Sequence, residues 1–89
     1  IKGVRAIKED EVFVATYFCE KVLEKTGVAL QISETFGDLE FCLLENVGSE
    51  INEESFSVEI RENGGYVEAY DRRGLLYGAE ALLQKILGF

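Results

Sequence analysis

Histidine is absent from these 89 residues, and with it the side chain that most often serves as general base and as transition-metal ligand. Proline is absent too, so no proline-rich linker divides the chain. There is no methionine, and the expectation is a chain that does not begin at its own start codon. The expectation is one non-catalytic domain, residues 1–89, excised from a longer polypeptide. Cysteine occurs twice, at Cys19 and Cys42, too few for a disulfide framework and too far apart for a paired zinc knuckle. Each sits in an apolar pattern, which reads as two buried thiols; a single disulfide joining helix to sheet is the other reading. Basic residues number nine against seventeen acidic ones, a net charge of -8. No Lys/Arg cluster is present to displace phosphate counterions, which argues against nucleic acid and an anionic membrane surface as partners. No apolar run approaches the roughly 20 residues that span a bilayer. Nothing in the composition calls for a cofactor.

What is present is enough to fold. Hydrophobic residues make up 47%, well above the disordered range, and the length suits one domain with one core. Residues 1–7 read as a short strand with Val4 and Ala6 offset by two. From Glu9 the period changes, and Val12, Ala15, Cys19, Val22 and Leu23 define one face of a helix. Glu9, Asp10 and Glu11 lie in its first turn and Lys21 and Lys25 near its end, each where the helix dipole favours that charge. Thr26-Gly27 is the stop.

Val28, Leu30 and Ile32 then alternate as the inward positions of a strand, Ser33 to Asp38 turn, and Leu39, Phe41 and Leu43 alternate again. Glu45 to Glu54 reads as a surface loop. Phe56, Val58 and Ile60, the turn Asn63-Gly64-Gly65, and Val67 with Ala69 read as a β-hairpin with one apolar face. Asp71 caps a second helix whose main stripe is Leu75, Ala79, Leu82, Leu83 and Ile86. The order β-α-β-β-β-β-α predicts an α+β fold, a single mixed sheet with both helices packed on one face.

The second helix carries more apolar surface than one sheet needs. Leu76, Leu83 and Leu87 form a second row, and Gly74 and Gly78 sit four apart, allowing close approach by a neighbouring element. Two readings remain open: a domain interface at Leu76, Gly78, Leu83 and Leu87 with something outside the chain, or cover by the first helix or the loop Glu45–Glu54.

Candidates for chemistry are thin. The acid pairs Glu9/Asp10/Glu11, Glu53/Glu54 and Glu59/Glu68 invite a glycosidase-type comparison, but that chemistry needs a shielded carboxyl at a fixed distance from a second one. The hairpin face bearing Glu59 and Glu68 also bears Ser57 and Arg61 and reads as solvated. Asp71-Arg72-Arg73 opens a helix, yet Asp71 itself fills the place an anion would take. Tyr66 and Tyr70 share the outer hairpin face with Glu68 between them; they either stack on a ligand such as a sugar or pack across strands. A free-standing interaction or carbohydrate-binding module using that face is the alternative to a scaffold. No catalytic, cofactor or metal site emerges.

Taken as a unit, Glu54-Ser-Phe-Ser-Val-Glu-Ile60, Asn63-Gly-Gly-Tyr-Val-Glu-Ala69, Gly74-Leu-Leu-Tyr-Gly78 and Leu82-Leu-Gln-Lys-Ile-Leu87 resemble a known pattern. It is similar to the small α/β domain preceding the catalytic barrel in family 20 β-N-acetylhexosaminidases, family 67 α-glucuronidases and related glycoside hydrolases. That pattern runs E-x-Y-x-L-x-V, a turn, V-x-I-x-A, then G-x-x-Y-G-x-x-T-L-x-Q-L. Phe56 stands where the family usually has tyrosine, and Glu80-Ala81 replaces the usual Gln-Thr. The resemblance implies a non-catalytic accessory domain whose last helix packs beside a downstream catalytic barrel of the same chain. An extracellular or periplasmic location is implied by the resemblance only.

Overall fold

The computed structural model describes residues 3–44, 56–62 and 64–88. In chain order the elements are β1 (Gly3–Arg5), α1 (Glu9–Thr26), β2 (Gln31–Ser33), β3 (Leu39–Leu43), β4 (Phe56–Arg61), β5 (Gly64–Ala69) and α2 (Arg72–Leu87). The strands form one sheet in the order β2-β1-β3-β5-β4, parallel except for β4, which runs antiparallel to β5. The fold is thus α+β with a single mixed sheet. The expected loop Glu45–Glu54 and the turn residue Asn63 lie outside the described residues. Among the described residues no helix is long and apolar enough to cross a membrane.

Both helices lie on one face. α1 covers β2 and β3, α2 covers β5, β4 and β3, and the helices touch each other. Val4, Leu39, Phe41, Val67 and Ala69 rise from the sheet to meet Val14, Ala15 and Phe18 of α1 and Leu75, Ala79 and Leu82 of α2, all essentially inaccessible to water. The Phe18 and Phe41 rings meet tilted, 5.5 Å between centroids and 59° between planes, a favourable edge-to-face geometry.

The α1 face differs from the periodicity reading. Val14, Ala15, Phe18 and Val22 are buried, Val12 and Cys19 are half-buried, and Leu23 is 49% exposed. The helix is rotated by about 70°, taking 3.6 residues per turn, from the face expected. The rotation turns Phe18, one of the largest fully buried side chains, onto Phe41. α1 stops as expected at Gly27, whose φ of 76° is left-handed and whose N–H bonds the Leu23 carbonyl at 2.9 Å.

The edge strands depart in the same way. β2 is only three residues long; Val28 lies before it at 51% exposure and Ile32 within it at 36%, while Leu30 is half-buried on the core. In β4 the inward positions Phe56 and Ile60 are 43% and 47% exposed. The hairpin is present, but Gly64 and Gly65, expected in its turn, belong to β5 and pair with Arg61 and Ile60; Phe56 lies opposite Ala69 and Val58 opposite Val67. Gly64 takes φ of 145°, and a side chain there would strike the Asp38 carbonyl.

Candidate functional site

Opposite the helices the sheet presents Arg5, Glu40, Cys42, Tyr66, Glu68, Ser57, Glu59 and Arg61, the outward members of each alternation. Parallel pairing sets Glu40 beside Tyr66, and antiparallel pairing sets Tyr66 beside Glu59. Around them lies a shallow pocket of about 430 Å³, lined by Asp38, Glu40, Arg61, Glu62 and Tyr66 above the Gly64-Gly65 backbone.

Arg61 organises this region. Its Nε and Nη2 both approach Glu59 Oε2, at 2.8 and 2.6 Å, and its guanidinium lies 5.6 Å from the Tyr66 ring centroid. One side of the Tyr66 ring is therefore already occupied. Tyr70 lies just past the end of β5 and is 38% exposed. Glu59 and Glu68 are not opposite each other: Glu59 faces Tyr66, and Glu68 faces Ser57. Among the described residues no group of three or more His, Cys, Asp or Glu side chains could hold a metal ion.

Cys19 and Cys42 are both free and half-buried. Cys42 belongs to the charged outer face rather than the apolar core, because Phe41 and Leu43 on either side of it take the inward positions. Burial pushes the Cys19 thiol up to about 11. Burial also raises Cys42, helped by the charges of Glu40, Glu11 and Glu68 and opposed by Arg5. Both are neutral thiols near pH 7, poor nucleophiles.

The start of α2 is built as the sequence indicates. Asp71 Oδ1 accepts a 2.6 Å hydrogen bond from the Gly74 N–H, so the capping carboxylate occupies the anion position. Arg72 turns away to α1, where its guanidinium lies 4.8 Å from the Phe13 ring centroid and 3.9 Å from Asp10 Oδ1.

The second apolar row of α2 divides. Leu83 is 2% exposed and belongs to the core, Leu76 is half-buried against it, and the Leu87 side chain lies outside the described residues. Gly78 is buried against the sheet: a Cβ there would come within 2.5 Å of Val67 Cγ1. The second cover of this helix is α1. A groove of about 330 Å³ between the two is lined by Tyr17, Lys21, Glu80, Leu83 and Gln84, and Tyr17 Oη donates to Glu80 Oε1 at 3.3 Å. Ile86, expected in the stripe, is 40% exposed, as is Tyr77 at 41%.

Sequence reasoning missed the role of Glu11, the buried charged residue among the described ones. Its Oε1 accepts from the Ile7 and Lys8 N–H groups at 3.0 and 2.9 Å, and its Oε2 from the Leu43 N–H at 2.8 Å. Burial pushes its carboxyl up, but the three backbone donors together with Lys8 outweigh that and hold it below its ordinary value. The local signal was a glutamate three residues into the helix, the back-bonding position of a capping box. The reach to Leu43 had no signal.

No protein-family profile matches the sequence, and no curated protein matches it. Solved structures do. The chain is similar to a family 20 β-N-acetylhexosaminidase from Streptomyces coelicolor, with a TM-score of 0.80 and 20% identity over 93% of this chain and 17% of that one. It is similar to a family 138 enzyme targeting pectin rhamnogalacturonan II, with a TM-score of 0.71 and 19% identity over 98% of this chain and 10% of that one. A family 115 4-O-methyl-α-glucuronidase with specificity for decorated arabinogalactans matches at a TM-score of 0.70 and 14% identity, over 99% of this chain and 14% of that one. The chain thus has the fold of a small part, about a sixth or less, of several glycoside hydrolases.

Proposed function

We propose that this chain is a non-catalytic accessory domain of a glycoside hydrolase, packing on a catalytic barrel that follows it in the same polypeptide. The observation that carries this reading is the recurrence of the fold, nearly whole, as a minor portion of enzymes with different substrates. A portion shared across such different chemistries fits a supporting role better than a substrate-specific one. The acidic outer face fits the same reading: Arg61 is engaged by Glu59 and Tyr66, Arg5 by Glu40 and the Glu34 carbonyl, and its thiol is held neutral. Contact with the barrel runs along the outward side of α2, through half-buried Leu76 and exposed Tyr77, with Leu83 and Gly78 fixing the helix from within.

The test compares the isolated chain with a longer polypeptide carrying the residues that follow Phe89, against a panel of aryl glycosides. The expected outcome is turnover by the longer form alone; turnover by these 89 residues would remove the reading. A sugar-binding role for Tyr66 and Tyr70 is less well supported, because the Arg61 guanidinium already occupies one side of the Tyr66 ring. In an NMR titration with oligosaccharides, shifts centred on those two tyrosines would restore it.

A further inference from the structure

Among the described residues β4 has no neighbour on the side away from β5. Its free backbone groups follow from two bonds made by β5. The Gly65 N–H bonds the Asp38 carbonyl at 3.0 Å, and the Ala69 carbonyl accepts from the Leu44 N–H at 2.7 Å, so both residues direct their backbone toward β3. Their opposites on β4, Ile60 and Phe56, therefore belong to non-hydrogen-bonded pairs and direct their own N–H and C=O groups to the open edge, with Val58 between them doing the same.

Natural sheets guard such an edge with charged side chains, proline, a bulge or an inward charge. From Phe56 to Arg61 β4 has no proline, bulge or inward charge, and its two charges, Glu59 and Arg61, pair with each other at 2.6 Å. Its register runs unbroken through six pairs, and its inward residues Phe56, Val58 and Ile60 are all apolar, the first and last about half exposed. The opposite edge, β2, is three residues long and offers far less.

What fits this edge is another extended strand, and the outward side chains say which. Ser57, Glu59 and Arg61 alternate with the apolar positions. A two-fold axis at Ile60 brings Ile60 against Ile60 as a hydrogen-bonded pair, with Glu59 of each copy directly opposite Arg61 of the other. Moving the axis to Glu59 would oppose like charges, and moving it to Val58 would leave both charges without a cross-strand partner. We infer that two copies of this chain pair antiparallel along β4, from Val58 to Glu62, forming one continuous ten-stranded sheet in which the Glu59–Arg61 pair within each chain meets its two-fold mate to make a four-charge cluster of alternating sign.

The test is sedimentation equilibrium of the chain at about 0.15 M salt, where the Debye length of about 8 Å screens its net charge. A dimer is expected. Glu59→Arg and Arg61→Glu each set like charges opposite one another twice per dimer, and each should weaken association at least about tenfold. An equimolar mixture of the two variants restores both pairs and should recover a heterodimer. Both side chains are exposed, and far-UV circular dichroism of each variant checks that the fold is kept. A chain that stays monomeric to millimolar concentration overturns the inference, as does a dimer indifferent to both single substitutions.

Discussion

The centre and the margins of the sheet carry the same alternating apolar code and obtain different burial from it. On β3 and β5, Leu39, Phe41, Val67 and Ala69 are at most 1% exposed; on β2 and β4, Ile32, Phe56 and Ile60 are 36–47% exposed. The cause is width. Two helices side by side, each about 10 Å across, roof about 20 Å, whereas five strands at about 4.8 Å spacing need somewhat more. Burial of an inward residue is thus decided by the strand's rank in the sheet, which depends on topology rather than on local pattern.

That contrast predicts the largest mutational difference. Phe41→Ala removes a side chain buried among Phe18 and the core and should cost about 3–5 kcal/mol. For a domain of this size, with about 4–13 kcal/mol of total stability, such a loss brings it close to unfolding. Phe56→Ala, at the margin, should cost only about 1–2 kcal/mol, scaled to the area it hides. Urea denaturation of both variants measures the gap. Equal costs would mean that the margin is roofed as thoroughly as the centre.

A smaller effect separates the buried carboxylate from the exposed ones. Glu11→Gln keeps the shape but loses the charge that three backbone N–H groups point at, for about 1.5–3 kcal/mol near neutral pH. The sign follows from linkage. The folded state holds this carboxyl below the ordinary value of 4.5, so its contribution is fully present above that value and is lost as pH falls through the lower folded value. The acid limb of the wild-type stability curve should therefore flatten in Glu11→Gln. An unchanged acid limb would show that the three bonds are not selective for the ionised form.

Much of the fold was legible because its signals are local. Gly27 ends α1, Asp71 opens α2, and the glycines Gly64 and Gly65 mark where the hairpin turns back into β5. The order of elements followed from these marks. What stayed hidden lies between elements distant in sequence. The rotation of α1 is set by Phe18 meeting Phe41; the Glu11 clamp reaches 32 positions along the chain to Leu43; and the second cover over Leu83 is α1, more than fifty residues upstream. The same limit governs the outer face. Tyr66 is outward as the alternation says, but its stacking by Arg61 depends on side-chain packing across the hairpin that no periodicity encodes.

Gly78 tests the centre–margin contrast at a single position, because it faces both. A Cβ built there comes within 2.5 Å of Val67 Cγ1 on the central strand β5 and 3.4 Å of Phe56 Cδ2 on the marginal strand β4. Phe56, half exposed, has room to give way; Val67 is fully enclosed and its branched side chain has few alternatives. Gly78→Ala gains about 1 kcal/mol from helix propensity and loses about 1–3 kcal/mol to overpacking, so a net destabilisation of about 1 kcal/mol is expected. The cause can be isolated by a double-mutant cycle. In a Val67→Ala background the obstructing methyl is gone, and Gly78→Ala should become neutral or stabilising, whereas in a Phe56→Ala background it should still destabilise. If relief came from Phe56→Ala instead, α2 would be seated against the margin rather than the centre, and the order of burial across the sheet would have to be reversed at this helix.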